Sequence, residues 1–131
     1  MKTPDPDRLN ELGTRIVGCA IRVHRALGPG LLESAYQACL AYEIERSGLK
    51  VESEVRVPLR YRDLCLDIGY RLEMLINGEV IIENKAVDLI LPVHRAQILT
   101  YVEVTGRRLG YPLNWHEALM KRGVHRFDLR L

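Results

Sequence analysis

A short apolar run at residues 81–86, IIENKA, contains three adjacent polar side chains: Glu83, Asn84 and Lys85. Side chains alternate between the two faces of a strand, so Glu83 and Lys85 share one face and Asn84 points to the other. A buried carboxylate or ammonium group is costly unless it is paired, hydrogen-bonded or bound to a metal. The spacing therefore indicates either an internal ion pair or a site where acids bind a metal ion beside a lysine.

A second acid, Glu73, lies in the apolar stretch LEMLI that precedes this run. Whether it meets Glu83 depends on the hairpin expected around Asn77-Gly78. A two-residue loop would pair Glu73 with Ile82 and leave Glu83 on the other face. A three-residue loop or a bulge would bring both carboxylates to one face. A shared metal site therefore requires the odd loop.

Hydrophobic periodicity and turn residues predict one α+β domain over residues 1–131, with a mixed β-sheet flanked by helices in the order α-α-β-β-β-α-β-β. Two helices joined by the rigid turn Gly28-Pro29-Gly30 come first. The predicted segments that follow are the strands VESEVRVPLRY, LCLDIGYRLEMLI and VIIENKA, the helix PVHRAQILTYVEVTG, and the closing strands LGYPLNW and VHRFDLRL, which HEALMKRG links as a short helix or loop. Pro58 places the first strand near a sheet edge.

The composition is typical of one soluble globular domain. The chain has 131 residues, 47% hydrophobic and 27% charged, which is enough to bury a core. Its net charge of +2 excludes a globally basic protein, so nucleic-acid binding would need a local patch. The three scattered cysteines predict buried thiols in a reducing cytosol. No segment has the apolar length for secretion or membrane spanning, so we expect a cytoplasmic protein with no membrane partner.

Basic residues are spread along the whole chain, as they are on many solvated surfaces. The candidate phosphate contacts are Arg60, Arg62, Arg95, Arg107, Arg108, Lys121, Arg122 and Arg126. Only Arg107-Arg108 and Lys121-Arg122 are adjacent pairs, and these two pairs are our candidate nucleic-acid patches. Trp115 has the chemistry to stack on a base, although a single tryptophan is more often part of the core.

Four motifs in order carry a resemblance to a known family. They are GLLESAY at residues 30–36, VPLRYRD at residues 57–63, Glu83-Asn84-Lys85, and QILTY at residues 97–101. In this order and over nearly the whole chain, they resemble the small family named for its GxxExxY motif, a branch of the PD-(D/E)XK nuclease superfamily. The resemblance implies a restriction-endonuclease-like core and a nuclease that hydrolyses nucleic acid, with DNA favoured as substrate.

The resemblance also implies a metal cofactor, Mg²⁺ or Mn²⁺. Phosphodiester hydrolysis needs a positioned water and neutralisation of charge on the phosphate, and hard oxygen ligands around a divalent ion supply both. By similarity, Glu73 and Glu83 hold the metal with help from the Asn84 backbone carbonyl. Glu33, from the helical hairpin, completes or adjusts the set of ligands.

The remaining roles are likewise taken from the resemblance. Lys85 orients the attacking water or stabilises the phosphoryl oxygens. Gln97 positions a ligand or water, and Tyr101, one helical turn later, supports it. Tyr36 is the other supporting residue. Other interpretations stay open for these side chains, because tyrosines often only pack, Gln97 fits a helix surface, and Glu33 suits the first turn of a helix.

Three residues depart from the pattern of the family. Glu73 stands where an aspartate is expected, and its extra methylene moves the carboxylate by more than an ångström, an error that matters in metal-assisted chemistry. Asn84 stands where an apolar residue is expected, and a buried amide needs hydrogen-bond partners. Pro112 removes a donor from a predicted strand. These departures are compatible with a diverged or weakened site.

Three hypotheses therefore remain. The first is a metal-dependent nuclease. The second is a catalytically weakened module of the same fold that binds nucleic acid or a protein partner. The third is a domain in which Glu83 and Lys85 form a structural ion pair and which works as a homodimer. Metal binding separates the third from the others, and cleavage separates the first from the second.

Overall fold

A mixed five-stranded sheet organises the protein, of which the computed structural model describes residues 5–129. The elements in chain order are α1 (Pro6–Leu27), α2 (Glu33–Arg46), β1 (Val51–Tyr61), β2 (Leu64–Ile76), β3 (Val80–Lys85), α3 (Pro92–Thr105), β4 (Leu109–Asn114), α4 (Met120–Gly123) and β5 (Phe127–Asp128). The strands lie in the order β1-β2-β3-β4-β5. Only β3 and β4 are parallel, and α3 provides the crossover between them.

The predicted α+β class and the order of the elements are confirmed. The segment predicted as a short helix or loop contains α4. The last predicted strand is shorter than expected, because β5 covers only Phe127–Asp128 and residues 130 and 131 lie outside the described residues. The edge position predicted for β1 is also confirmed, since β1 ends the sheet.

The helical hairpin covers one face of the sheet. Asp5 caps α1 by accepting a hydrogen bond from the Asp7 backbone N–H at 3.0 Å. Gly28 ends the helix with φ of 69°, a conformation that glycine adopts without strain. The buried side chains of both helices pack on Met74, Ile76, Val80 and Ile82 of the sheet, and this is the larger of the two core clusters.

The other face of the sheet is covered by α3. Ile98 and Val102 pack on Leu75 and Ile81. A Cβ atom at Gly110 would lie 2.9 Å from Ile98 Cγ1, so this glycine lets α3 approach β4 closely. Gly106 ends α3 in the left-handed conformation expected for a helix terminus.

The loop between β2 and β3 has three residues. The register pairs Ile76 with Val80, Leu75 with Ile81, and Met74 with Ile82. Asn77 and Gly78 take left-handed conformations with φ of 52° and 68°. The Asn77 side chain accepts a hydrogen bond from the Lys50 backbone N–H at 2.8 Å, which ties the loop to the start of β1. The odd loop that a shared carboxylate site requires is therefore present.

The hairpin of β1 and β2 contains a bulge. Val57 pairs with Tyr70 but Leu59 pairs with Leu66, so β2 has extra residues at this point. A Cβ atom at Gly69 would lie 2.4 Å from the Leu59 backbone nitrogen and 2.6 Å from the Val57 carbonyl oxygen. Only glycine fits here without moving the backbone of β1.

We predict that Gly69→Ala destabilises the protein by roughly 1–3 kcal/mol, because the methyl group would meet backbone atoms that cannot rotate away. Urea unfolding measures the loss. Gly18→Ala is the matched control, since its added Cβ lies 3.7 Å from the nearest atom, the end of the Arg22 side chain, in α1. The control should be neutral or slightly stabilising. Equal stability of the two variants would contradict the crowding at Gly69.

Candidate metal and active site

Two carboxylates, Glu73 and Glu83, lie together where β2 and β3 separate. The register that pairs Met74 with Ile82 places Glu73 beside Glu83. Glu83 Oε1 accepts a hydrogen bond from the Glu73 backbone N–H at 3.4 Å. The ladder between the two strands ends at Met74, so side chains take over the hydrogen bonds at this point.

The fully buried Asn84 holds the Glu73 carboxylate in place. Glu73 Oε1 accepts hydrogen bonds from the Asn84 backbone N–H at 2.9 Å and from Asn84 Nδ2 at 3.2 Å. Asn84 Oδ1 accepts a hydrogen bond from Trp115 Nε1 at 2.9 Å. An indole N–H can only donate, so this contact fixes which way the amide points. The oxygen and the nitrogen of the buried Asn84 side-chain amide therefore both have hydrogen-bond partners.

An aromatic stack connects Asn84 to the turn before α2. The rings of Trp115 and Tyr36 lie parallel with centroids 4.7 Å apart. The Tyr36 hydroxyl donates to the Gly28 carbonyl oxygen at 2.5 Å and accepts from the Leu31 backbone N–H at 3.1 Å. Both rings are fully buried. Trp115 is therefore a core residue and not a surface for base stacking, and Tyr36 fixes the turn that leads to Glu33.

Glu33 lies next to the end of β3. Its side chain is exposed, and Oε1 accepts a hydrogen bond from the Ala86 backbone N–H at 3.1 Å. Among residues 5–129, no three acidic, histidine or cysteine side chains are grouped so that they could hold a metal ion. The structure thus brings Glu73 and Glu83 together and holds Glu33 at the neighbouring backbone.

The electrostatics of the carboxylate pair suit a divalent cation. Burial, and then the neighbouring Glu73 carboxylate, raise the pKa of Glu83 to about 9. Two adjacent carboxyl groups in a buried setting cannot both ionise without a compensating positive charge. Their oxygens are the hard ligands that Mg²⁺ and Mn²⁺ prefer. The residues present therefore fit a divalent metal ion.

Lys85 is half-buried at the end of β3, on the same strand face as Glu83. Its charge opposes the rise in the pKa of Glu83, but it is the weakest of the influences on that group. None of the ion pairs within residues 5–129 includes Lys85. The structural ion pair of the third hypothesis is therefore not formed in the described part of the chain.

Tyr101 of α3 lies within electrostatic reach of the carboxylate pair, and the Gln97 side chain forms a hydrogen bond with it. They line a surface depression of about 660 Å³ together with Tyr70, Val93, His94, Ala96 and Thr100. Burial, and then the charge of Glu83, raise the pKa of Tyr101, while a hydrogen bond with the Gln97 side chain lowers it. The Tyr101 ring also meets Tyr70 edge-on at 5.5 Å. The depression is related to the acids through Tyr101, the lining residue whose pKa responds to the charge of Glu83.

A comparison of the sequence with models of protein families identifies the superfamily of the chain. The model of the PD-(D/E)XK nuclease superfamily matches residues 10–127. The chain belongs to the PD-(D/E)XK nuclease superfamily. Comparisons with curated proteins and with solved structures gave no match. The α+β architecture is consistent with the restriction-endonuclease-like fold of this superfamily, whose nucleases generally use divalent metals such as Mg²⁺.

The basic pairs of this PD-(D/E)XK protein lie away from the acids. Arg107 Nε donates to the Gly78 carbonyl oxygen at 2.9 Å, and Arg108 pairs with Asp128 at 3.6 Å. Both arginines precede β4, whose start is level with the start of β3, whereas Lys85 is at its other end. The second pair, Lys121 and Arg122, is exposed on α4.

Two residues near the acids were missed by sequence analysis. Gln37 Nε2 donates to the Glu73 carbonyl oxygen at 3.4 Å and to Glu54 Oε1 at the same distance. Tyr70 lies against Tyr101. No local sequence pattern distinguishes Gln37 from other polar helix residues, and a tyrosine such as Tyr70 is common in strands of any role. No helix among residues 5–129 has the length and apolar character to cross a membrane.

We predict that the stability of the metal-free protein falls as the pH rises. Glu83 has a pKa of about 9 when folded and an ordinary value of 4.5. The folded state therefore holds an extra proton between these values, and the unfolding free energy declines there by at most about 1.4 kcal/mol per pH unit. Glu83→Gln cannot ionise and should lack this decline. Urea unfolding from about pH 5 to pH 8 with a chelator measures both slopes.

The control for this measurement is Glu103→Gln, which changes an exposed acid on α3. It should keep the slope of the natural protein. Identical slopes for the natural protein and Glu83→Gln would show that Glu83 does not hold a proton in the folded state.

We predict that Asn84 and Trp115 are energetically coupled. Asn84→Val leaves the buried Trp115 Nε1–H without an acceptor, which costs about 1–3 kcal/mol. Trp115→Phe removes that donor, so the Asn84→Val change should cost about 1 kcal/mol less when it is made in the Trp115→Phe background. Urea unfolding of the four proteins in the cycle measures the coupling. Strictly additive losses would mean that the hydrogen bond contributes nothing.

Proposed function

We propose that this protein is a nuclease of the GxxExxY branch that uses Mg²⁺ or Mn²⁺ to hydrolyse phosphodiester bonds in DNA. One observation carries the proposal: the adjacent carboxyl groups of Glu73 and Glu83 lie on the strands that also present Lys85, whose ammonium group forms no ion pair within residues 5–129. Acids that bind a cation, next to a lysine that is open to an anion, suit a phosphodiester substrate.

Glu73 and Glu83 would hold the metal ion, with the Asn84 carbonyl and Glu33 as further candidate ligands. The bound ion would neutralise charge at the scissile phosphate and acidify water. Glu73 is restrained by two hydrogen bonds from Asn84, which in turn is fixed by Trp115. This support compensates for the longer side chain of glutamate, because a supported carboxylate keeps one position.

Lys85 would donate hydrogen bonds to a phosphate oxygen and to the attacking water. A compact ammonium group beside two acids stabilises the negative charge that develops on the phosphate in the transition state. Gln97 lies on the wall of the open depression and would position a water or a sugar–phosphate oxygen. Tyr101 supports Gln97 through their hydrogen bond.

A second candidate function is a weakened member of the superfamily that binds nucleic acid or a protein without turnover. Three observations favour it. Glu33 is bonded to the Ala86 backbone and does not join the other two acids in a three-residue metal cluster among the described residues. Glu73 also stands in the place where the family pattern has an aspartate. A proton on Glu83 would have to leave before both acids could bind a metal ion.

The test is cleavage of labelled single- and double-stranded DNA and RNA with Mg²⁺ or Mn²⁺. We expect the natural protein to cleave DNA and Lys85→Ala to lose at least ~100-fold in rate, because it lacks the cation that faces the phosphate. Lys50→Ala is the matched control, since Lys50 is an exposed lysine immediately before β1 whose side chain pairs with Glu52. It should cleave at the natural rate.

Two results would oppose the nuclease proposal. Undiminished cleavage by Lys85→Ala would show that the activity does not come from this site. An inert natural protein whose Glu73→Asp variant cleaves would establish the weakened module instead, because shortening one acid would then have restored the metal geometry.

A further inference from the structure

Lys85 is the last residue of β3, and the chain leaves the sheet directly after it. Residues 86–91 have no regular secondary structure and lead to α3. The ladder between β3 and β4 ends at the same point, where Lys85 pairs with Asn114. Residues at the end of a strand fray easily, because no further ladder bonds lie beyond them. The position of Lys85 therefore needs support from outside the ladder.

The side chain of Asn114 supplies this support. Asn114 Nδ2 donates to the Val87 carbonyl oxygen at 2.8 Å, and Asn114 Oδ1 accepts from the Val87 backbone N–H at 3.1 Å. A side-chain amide offers the same kinds of donor and acceptor as a peptide group. The Asn114 amide thus continues the ladder past Lys85, at the place where β4 itself ends.

The orientation of the Asn114 amide is fixed by its partners. Its oxygen also accepts a hydrogen bond from the His116 backbone N–H at 3.3 Å. Exchanging the oxygen and the nitrogen would set donor against donor and acceptor against acceptor. The side chain is only 1% exposed, so water has little access to these bonds. The amide is therefore held firmly against Val87.

Two further contacts hold the backbone next to the Asn114 contacts. The Trp115 backbone N–H donates to the Lys85 carbonyl oxygen at 2.8 Å. The Ala86 backbone N–H donates to Glu33 Oε1 at 3.1 Å, but the Glu33 side chain is exposed. Of these three supporting residues, Asn114 is the one that bonds to both the N–H and the C=O of its partner and is buried while doing so.

We propose that Asn114 is a positioning residue for Lys85: it fixes the backbone at the end of β3 and thereby the place of the ammonium group. The inference rests on the proposed nuclease function and adds a residue to its site. A lysine side chain is a flexible four-carbon stem, so the place of its charge depends on how firmly its backbone is held. A group that stabilises a transition state must stay within about 0.5 Å of the productive geometry.

The acids and the lysine would thus be held by two different side chains at the end of β4. Glu73 is restrained by Asn84, which is fixed by the side chain of Trp115. Lys85 is restrained through the neighbouring side chain of Asn114. Loss of the Asn114 amide should therefore weaken the action of Lys85 without releasing the acids.

The first measurement is the kinetics of metal-dependent DNA cleavage by Asn114→Ala. We expect kcat to fall at least ~10-fold, while KM and the affinity for Mn²⁺ stay within about twofold of the natural values, because Lys85 acts in the transition state. If Asn114→Ala does not fold, Asn114→Asp takes its place with the same expected direction, since it keeps the shape and loses only the donor to the Val87 carbonyl. Cleavage with an unchanged kcat would overturn the inference.

A double-mutant cycle with Lys85→Ala tests whether Asn114 acts through the lysine. In the Lys85→Ala background, Asn114→Ala should change the residual kcat by less than about twofold, since the group that it positions is already absent. A residue that only stabilised the fold would cause the same loss in both backgrounds. Additive losses would therefore refute the positioning role.

The matched control is Asn10→Ala. Asn10 is another asparagine whose side chain joins distant parts of the chain, because its Oδ1 accepts from Arg126 Nη2 at 2.6 Å. Arg126 directly precedes β5, which pairs with β4 at Leu109 and Gly110, at the end of β4 opposite to Asn114. Asn10→Ala should cleave at the natural rate. An equal loss of kcat in this control would reduce the effect to a general loosening of the fold and count against the inference.

Nuclear magnetic resonance relaxation decides the inference even in a protein that never cleaves. The backbone amide order parameters of Lys85 and Ala86 should be about 0.85 in the natural protein and fall towards about 0.6 in Asn114→Ala, but not in Asn10→Ala. That result in a protein without cleavage would support the positioning role and refute the nuclease. Unchanged order parameters in Asn114→Ala would refute the positioning role, and cleavage by the natural protein would then leave the nuclease standing.

Discussion

The site depends on the number of residues in one loop. Side chains in a strand alternate with a period of two, so the three-residue connection between β2 and β3 decides that Glu73 stands beside Glu83. A loop with one residue fewer would send one carboxylate to the opposite face of the sheet. The three-residue conformation of the loop is stabilised because Asn77 adopts a left-handed conformation and exchanges hydrogen bonds with Lys50.

Asn84 connects the acids to the helical hairpin through a chain of polar and aromatic contacts. A buried amide is tolerated when each of its groups has a partner, and here Glu73, Met74 Sδ and Trp115 supply them. The stack of Trp115 on Tyr36 then extends the support to the turn before α2. The two residues that depart from the family pattern, Glu73 and Asn84, therefore depend on each other, because the longer glutamate side chain reaches the Asn84 amide that holds it.

Local sequence predicted the fold well, because periodicity, glycines and prolines bound most elements. The shared face of Glu83 and Lys85 also followed from strand geometry alone. The rest depends on contacts between distant residues. Asn77-Gly78 is compatible with loops of two or three residues, so the meeting of Glu73 with Glu83 could only be stated as a condition. The strand register that pairs Arg56 with Arg71 depends on the bulge at Gly69. The sequence also does not reveal that Arg107 donates a hydrogen bond to the Gly78 carbonyl oxygen.

A pair of buried acids can be neutralised by a fixed cation, by a proton or by a metal ion. A fixed ion pair with Lys85 would be permanent and would leave neither the acids nor the ammonium group open to a ligand. Within the described residues Lys85 forms no such pair, and burial raises the pKa of Glu83 to about 9, which favours a proton on this carboxyl group at neutral pH. A proton exchanges readily for a divalent cation. The arrangement therefore keeps both partners of the proposed chemistry, the acids for the metal and Lys85 for the phosphate, available at one end of the sheet.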